Sequence, residues 1–198
     1  MSEEVALFPL HTVLFPGGRL PLRIFEQRYM EMAKACLRDN APFGVCLIHQ
    51  GKEVGEPAVP VGVGCLARIA EWDMPQLGVL QVTARGESRF RILHQRVQAD
   101  GLVRASIQLL PEGDDAPLPD AAARYATLLE RVIEQHPALL ERPHRLDSSA
   151  WVSARLAELL PLPLEAKQAL LETENGRARL EKLDALVSTQ SIPGPNKV

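Results

Sequence analysis

The chain has 198 residues, a mass of 21.8 kDa, a formal net charge of -3 and a pI near 6.0. That length suits one or two domains and buries about 70% of the unfolded surface, so neither disulfide nor metal is needed to hold a core. The charge balance lacks the basic surplus that phosphate contacts demand, so nucleic acid is not an expected partner.

Taken from the N-terminus, the acidic start Met1-Ser2-Glu3-Glu4 is followed by no signal-like apolar run, and no stretch is long enough to span a bilayer. Cys36, Cys46 and Cys65 are odd in number and form no C-x-x-C pair, which argues against disulfides and against a zinc site. A reducing cytoplasm is the expected compartment, with no membrane partner. Prolines are frequent over the first 75 residues, which predicts many turns and few long helices there.

The front half reads as strands with one helical break. Phe25, Tyr29, Met32, Ala33, Cys36 and Leu37 recur at three- and four-residue steps, so a helix is predicted over about 25–38, ended by Asp39-Asn40 and Pro42. Phe43 to Ile48 is a short continuous apolar run, as in a strand buried on both faces. Leu80, Val82 and Ala84 alternate with Gln81, Thr83 and Arg85. Val103, Ala105, Ile107 and Leu109 do so with Arg104, Ser106 and Gln108. Both are half-buried strands. Asp100-Gly101 predicts a two-residue hairpin turn.

Residues 1–112 are thus expected as one β-rich domain. The acidic, proline-rich stretch over 113–120 reads as a linker. Helical stripes follow over 121–190: Tyr125, Leu128, Leu129, Val132 and Ile133, then Val152, Leu156, Leu159 and Leu160 opened by Asp147-Ser148-Ser149, then a short helix from Pro163, then Leu180, Leu183 and Val187. Residues 191–198 are expected to be a loose tail.

Catalytic patterns fail on inspection. Gly51-Lys52 is followed by Glu53, and Cys46 occupies the upstream glycine position, so no P-loop forms. Gly62-Val63-Gly64-Cys65-Leu66-Ala67 fits a dinucleotide-type string, yet Cys65, Ala67 and Ile69 continue a β alternation where a helix is required. Gly86-Glu87-Ser88-Arg89-Phe90 lacks the second glycine of a serine elbow, and the histidines are scattered. No catalytic residue, cofactor or metal is expected. Arg85, Arg89, Arg91, Arg96 and Arg104 form a basic stretch, read as solvent-facing strand residues whose stems cover apolar surface.

Three strings carry a family resemblance. Leu7 to Tyr29 (LFPLHTVLFPGGRLPLRIFEQRY), Gly62 to Ile69 and Arg85 to Ile92 (RGESRFRI) occur in the order seen in the N-terminal, substrate-binding domain of Lon proteases. Leu160 to Gln168 and Arg179 to Leu183 are similar to that family's helical part, so the resemblance covers nearly the whole chain. Gln27 departs from the proline often found there.

The resemblance implies an α+β fold, a PUA-like β pseudobarrel followed by a C-terminal α-helical bundle, in a stand-alone form lacking the ATPase and protease domains. It implies a non-catalytic module that recognises proteins, an adaptor in protein quality control, with unfolded or exposed protein segments or a protease as partner. Phe15, Arg19, Arg23, Phe25, Glu26, Arg28, Tyr29, Arg85, Arg89 and Phe90 are the candidate protein-binding residues, with an apolar groove between barrel and bundle as the expected site. Locking the turn to the helix by ion pairs is the competing role for Arg23, Glu26 and Arg28. An RNA-binding PUA-like module is the first alternative; a small-molecule binder or unrecognised enzyme is the second.

Overall fold

A computed structural model describes residues 3–111, 113 and 116–189. The expected tail over 191–198 and part of the expected linker lie outside the described residues.

Six strands dominate the front half: β1 (Glu3–Leu10), β2 (Arg19–Ile24), β3 (Phe43–Gln50), β4 (Val59–Gln76), β5 (Val79–Val97) and β6 (Val103–Leu109), with helix α1 (Gln27–Asp39) between β2 and β3. Their order is β2-β5-β4-β3-β1-β6, and β5 also pairs with β6. Five strands therefore close a ring, and β2 hangs on the first part of β5. Closure removes the open edges of those five strands. This is the β pseudobarrel that the sequence motifs imply.

β1 and β3 run parallel, with Leu7 opposite Gly44 and Leu10 opposite Leu47. The parallel step needs a crossover, which the segment containing α1 supplies. The long strands β4 and β5 curve through register shifts near Cys65, Ile69 and Asp73. The bend in β5 falls at Gly86. Its amide bonds the Gly18 carbonyl at 2.9 Å, its carbonyl accepts from Gly17 N at 2.8 Å, and a Cβ there would stand 2.2 Å from the Phe15 carbonyl oxygen. That close backbone approach is what a glycine permits.

Apolar clusters cover both faces of the sheet: Phe8, Phe43, Val45, Cys65, Ala67, Val82 and Ala84 pack with Tyr29 of α1 in one, and Leu7, Phe90, Val103 and Ile107 form another. Phe8 stacks on Tyr29 with ring centroids 4.1 Å apart.

Helix α1 starts two residues later than predicted. Glu26 is extended (φ -76, ψ 137), so Phe25 leaves the apolar helix face on which the sequence put it, and it is 53% exposed. Asn40, at φ 48, closes the helix in a left-handed conformation. The turn after β5 is also wider than the two-residue hairpin predicted. Gln98 N bonds Leu102 O at 2.8 Å, Gly101 takes φ 83, and the Asp100 carboxylate accepts from Leu102 N. A left-handed glycine at the end of a three-residue turn gives this pattern.

The back half is helical: a 3-10 turn at Asp120–Ala122, then α2 (Ala123–Gln135), α3 (Ser149–Leu159), α4 (Leu164–Leu171) and α5 (Gly176–Thr189). The chain nevertheless divides into units that do not follow sequence order. Residues Pro161–Glu172, with α4, group with the sheet, whereas Glu112–Leu160 and Thr173–Val198 form the second unit. The reason is visible at α4: the buried Gln168 amide donates to Val63 O on β4 at 3.0 Å.

In the second unit, Ser148 caps α3 by accepting from Trp151 N. The stretch read as linker is partly tied down there. Leu118 N bonds Asp147 O, and Ser149 N bonds Ala116 O. Gly176 lets α5 approach α3, since a Cβ would lie 2.3 Å from Ala150 N. Tyr125 of α2 donates its hydroxyl to Asp184 of α5 at 2.5 Å.

Candidate functional site

The sequence motifs that look most like a site fold mainly into the interior. Arg28 is 6% exposed. It donates to the Gly101 carbonyl at 3.1 Å and to Glu26 Oε2 at 3.0 Å, and its guanidinium lies 4.7 Å from the Tyr29 ring centroid. The same Glu26 oxygen accepts from Gly55 N. Glu26 and Arg28 therefore fasten the turn after β3 and the β5–β6 turn to the start of α1. The predicted ion-pair lock holds for these two residues and not for Arg23. Burial pushes the Tyr29 hydroxyl above its ordinary pKa.

Arg89 corrects the reading of the basic stretch as solvent-facing. It is 1% exposed, donating to the Leu171 carbonyl at 2.9 Å and the Pro111 carbonyl at 2.6 Å. It joins the end of α4 to the end of β6. Phe15 and Phe90 have no exposed surface either. Phe15, Arg28, Tyr29, Arg89 and Phe90 are thus all buried, and a buried side chain offers a docked partner little to touch.

The exposed candidates are Arg19, Arg23, Phe25 and Arg85. Strand pairing brings them together at one end of the sheet, where β2, β5 and β4 extend side by side. Leu20, Leu22 and Ile24 face inward beside Ala84, Val82 and Leu80. Strand alternation then puts Arg19, Pro21 and Arg23 on the outer face. Three rows cross that face: Arg19–Arg85–Arg68, Pro21–Thr83–Glu71 and Arg23–Gln81–Asp73. Directly opposed like charges repel, and the fold offsets them. Arg19 pairs with Glu71 at 3.2 Å, and Arg68 pairs with Glu87 at 2.6 Å. The hydrogen bond to Glu87 raises the Arg68 pKa further.

Over the two latter rows lies an open groove of about 540 Å³, lined by Pro21, Leu22, Arg23, Glu71, Trp72, Asp73, Gln81, Val82 and Thr83. Beyond it the β4–β5 hairpin ends in exposed apolar residues: Trp72 at 60%, Met74 at 41% and Leu77 at 97%. Ile24 is opposite Leu80 and Gln76 opposite Val79, so the exposed Phe25 stands at this same end. The open edge of β2 carries Pro21, which cannot donate to a further strand.

No group of three or more His, Cys, Asp or Glu suited to a metal is found among the described residues. Cys36, Cys46 and Cys65 are free and buried. No described helix is long and apolar enough to cross a membrane.

The sequence matches the ATP-dependent protease La (LON) substrate-binding domain over residues 4–189. The chain belongs to the Lon substrate-binding domain family. A solved Lon N-terminal domain protein from Xanthomonas campestris is 38% identical with a TM-score of 0.78, covering 92% of this chain and 98% of that one. The N-terminal domain of Mycobacterium avium complex Lon protease has a TM-score of 0.66 at 18% identity, covering 95% and 100%, and so supports the fold alone. The Lon protease of Anaeromyxobacter dehalogenans is 29% identical over 184 residues, 88% of this chain and 22% of that protein. The chain thus spans under a quarter of that relative's length. The matched domain is named for substrate binding and not for catalysis.

Trp72, Asp73, Met74, Leu77, Gln81 and Thr83 were absent from the sequence-derived site. The available signal was Trp72, Met74 and Leu77 crowded against the turn-forming Pro75 and Gly78. Large apolar residues beside turn residues are a poor fit to a buried strand.

Proposed function

We propose that this chain binds exposed segments of other proteins and works as an adaptor or recognition factor in protein quality control, without catalysing a reaction itself. The carrying observation is the end of the β2–β5–β4 sheet, where Phe25, Trp72, Met74 and Leu77 are all exposed beside the groove. Clustered exposed apolar side chains on a soluble fold mark interaction sites, and the family description supports a polypeptide as the bound class. The mixed rows of the outer face favour polypeptide over RNA, because Glu71 and Asp73 would oppose a phosphate backbone there. Three free, buried cysteines fit a reducing cytoplasm.

The test compares a reduced, carboxymethylated protein that cannot fold with its native form, each labelled for fluorescence anisotropy. The expected result is binding of the unfolded form only, weakened about tenfold or more by Trp72→Ser with Leu77→Ser, as loss of two apolar contacts implies. Equal binding of both forms, or an unaffected double variant, would overturn the reading.

A further inference from the structure

Ring closure removes a strand's edge only where a neighbour runs alongside it, and β5 outruns one of its neighbours. Its pairing with β4 ends at Val63 opposite Arg91, whereas its pairing with β6 continues to Val97 opposite Val103. The register shift between Ile92 and His94 marks the place where β5 leaves β4. Beyond it Leu93, His94, Gln95, Arg96 and Val97 are all exposed, Leu93 at 46% and Val97 at 58%. Gln98 N bonds Leu102 O at 2.8 Å. Hydrogen-bonded and non-hydrogen-bonded pairs alternate in an antiparallel ladder, so His94 and Arg96 bond β6, and the amides and carbonyls of Gln95 and Val97 point away from it. Among the described residues no strand pairs with them.

Two other free edges are guarded. Pro21 withholds a donor from the edge of β2, and Glu71 and Asp73 charge the part of β4 that runs past its last pair with β3, Phe43 opposite Ala67. The charged residue at the end of β5 is Arg96, and its guanidinium is drawn across the sheet to Glu4 at 2.8 Å, where Arg104 also donates. The edge itself is left with unpaired backbone flanked by Leu93, Gln95 and Val97.

We propose that this edge pairs antiparallel with the same edge of a second copy of the chain, about a twofold axis at Gln95. The sequence is self-complementary in that register. Leu93 faces Val97 of the second copy, Gln95 faces its own counterpart, and Arg96 faces His94. An axis at Arg96 would oppose two arginines, which is unfavourable. An axis at Val97 would carry the pairing into the turn over 98–102. The twofold contact uses one patch twice and closes at a dimer. It lies at the other end of β5 from the groove and does not depend on the polypeptide-binding reading.

The experiment uses the full chain. In sedimentation equilibrium the mass is expected to rise with concentration from 21.8 kDa toward twice that. Gln95→Cys should form a covalent dimer under mild oxidation, because facing residues of a hydrogen-bonded antiparallel pair have Cα atoms about 5.5 Å apart, within disulfide reach. Wild type should form none, since its cysteines are buried, and Gln81→Cys near the opposite end of β5 should form none either. Gln95→Pro removes an amide that the fold itself leaves unpaired, and it should weaken the dimer about tenfold or more. Val97→Lys, which sets a charge against Leu93, should do the same and tests the edge if circular dichroism shows the proline variant unfolded. A chain monomeric at every concentration would overturn the proposal. So would a dimer that a folded edge variant leaves intact, or one trapped by Gln81→Cys and not by Gln95→Cys.

Discussion

Arg89 and Arg23 stand on paired strands of one sheet and live in opposite environments. Arg89 is sealed inside, and its guanidinium is spent on the carbonyls of Leu171 and Pro111. Arg23 stands outside, over a groove, with no partner among the described residues. The same contrast separates the two regions around them. At the closed end, Phe15, Gly86, Arg89 and Phe90 interlock strand, loop and helix end. At the open end, Arg23, Phe25, Trp72 and Leu77 are exposed. The difference teaches that arginines of one family motif can be turned inward, as Arg28 is, or left outside, as Arg23 is.

Gly86→Ala is the strongest way to break the closed end. The added methyl would meet the Phe15 carbonyl oxygen at 2.2 Å, inside any real contact distance. Urea denaturation is expected to show a loss of about 4 kcal/mol, the size reserved for backbone clashes and core disruption. A loss below a quarter of that would mean the loop over 14–18 moves freely. Arg89→Leu comes next, at about 3 kcal/mol, because it leaves two carbonyls without their charged donor. Its effect should concentrate on α4, so amide exchange of residues 164–171 should quicken more than that of β1 or β3.

Glu26→Gln sharpens the comparison at the border of the two regions. It keeps the shape and removes the charge that binds Arg28 and Gly55 N. A loss of about 1 kcal/mol is expected, with faster exchange at Gly55 as its local sign. Leu77→Ser should be the smallest, within about 0.5 kcal/mol, since a side chain 97% exposed contributes little to folding. A large destabilisation there would show that the hairpin tip is a folding element and not a contact surface.

Much of the fold was legible from local pattern. Alternation in Val103 to Leu109 foretold β6, the apolar run Phe43 to Ile48 foretold β3, and Asp147-Ser148-Ser149 foretold the start of α3. The site was less legible. Arg23 and Phe25 were among the candidates, yet Arg28, Arg89 and Phe90 looked equally suitable and turned inward. An arginine in sequence carries no mark of whether its partner is solvent or a backbone carbonyl dozens of residues away.

Sequence alone determined what depends on neighbours along the chain: periodicity, caps and the glycine turns, together with the motif strings that announced the family. Tertiary structure decided what depends on residues far apart in the chain. It brought Gln168 to Val63 and so moved α4 into the sheet unit, and it set Arg23 opposite Gln81 with Asp73 one strand further. Local propensity acts over a few residues, whereas burial and strand register are settled only when the whole chain has closed on itself.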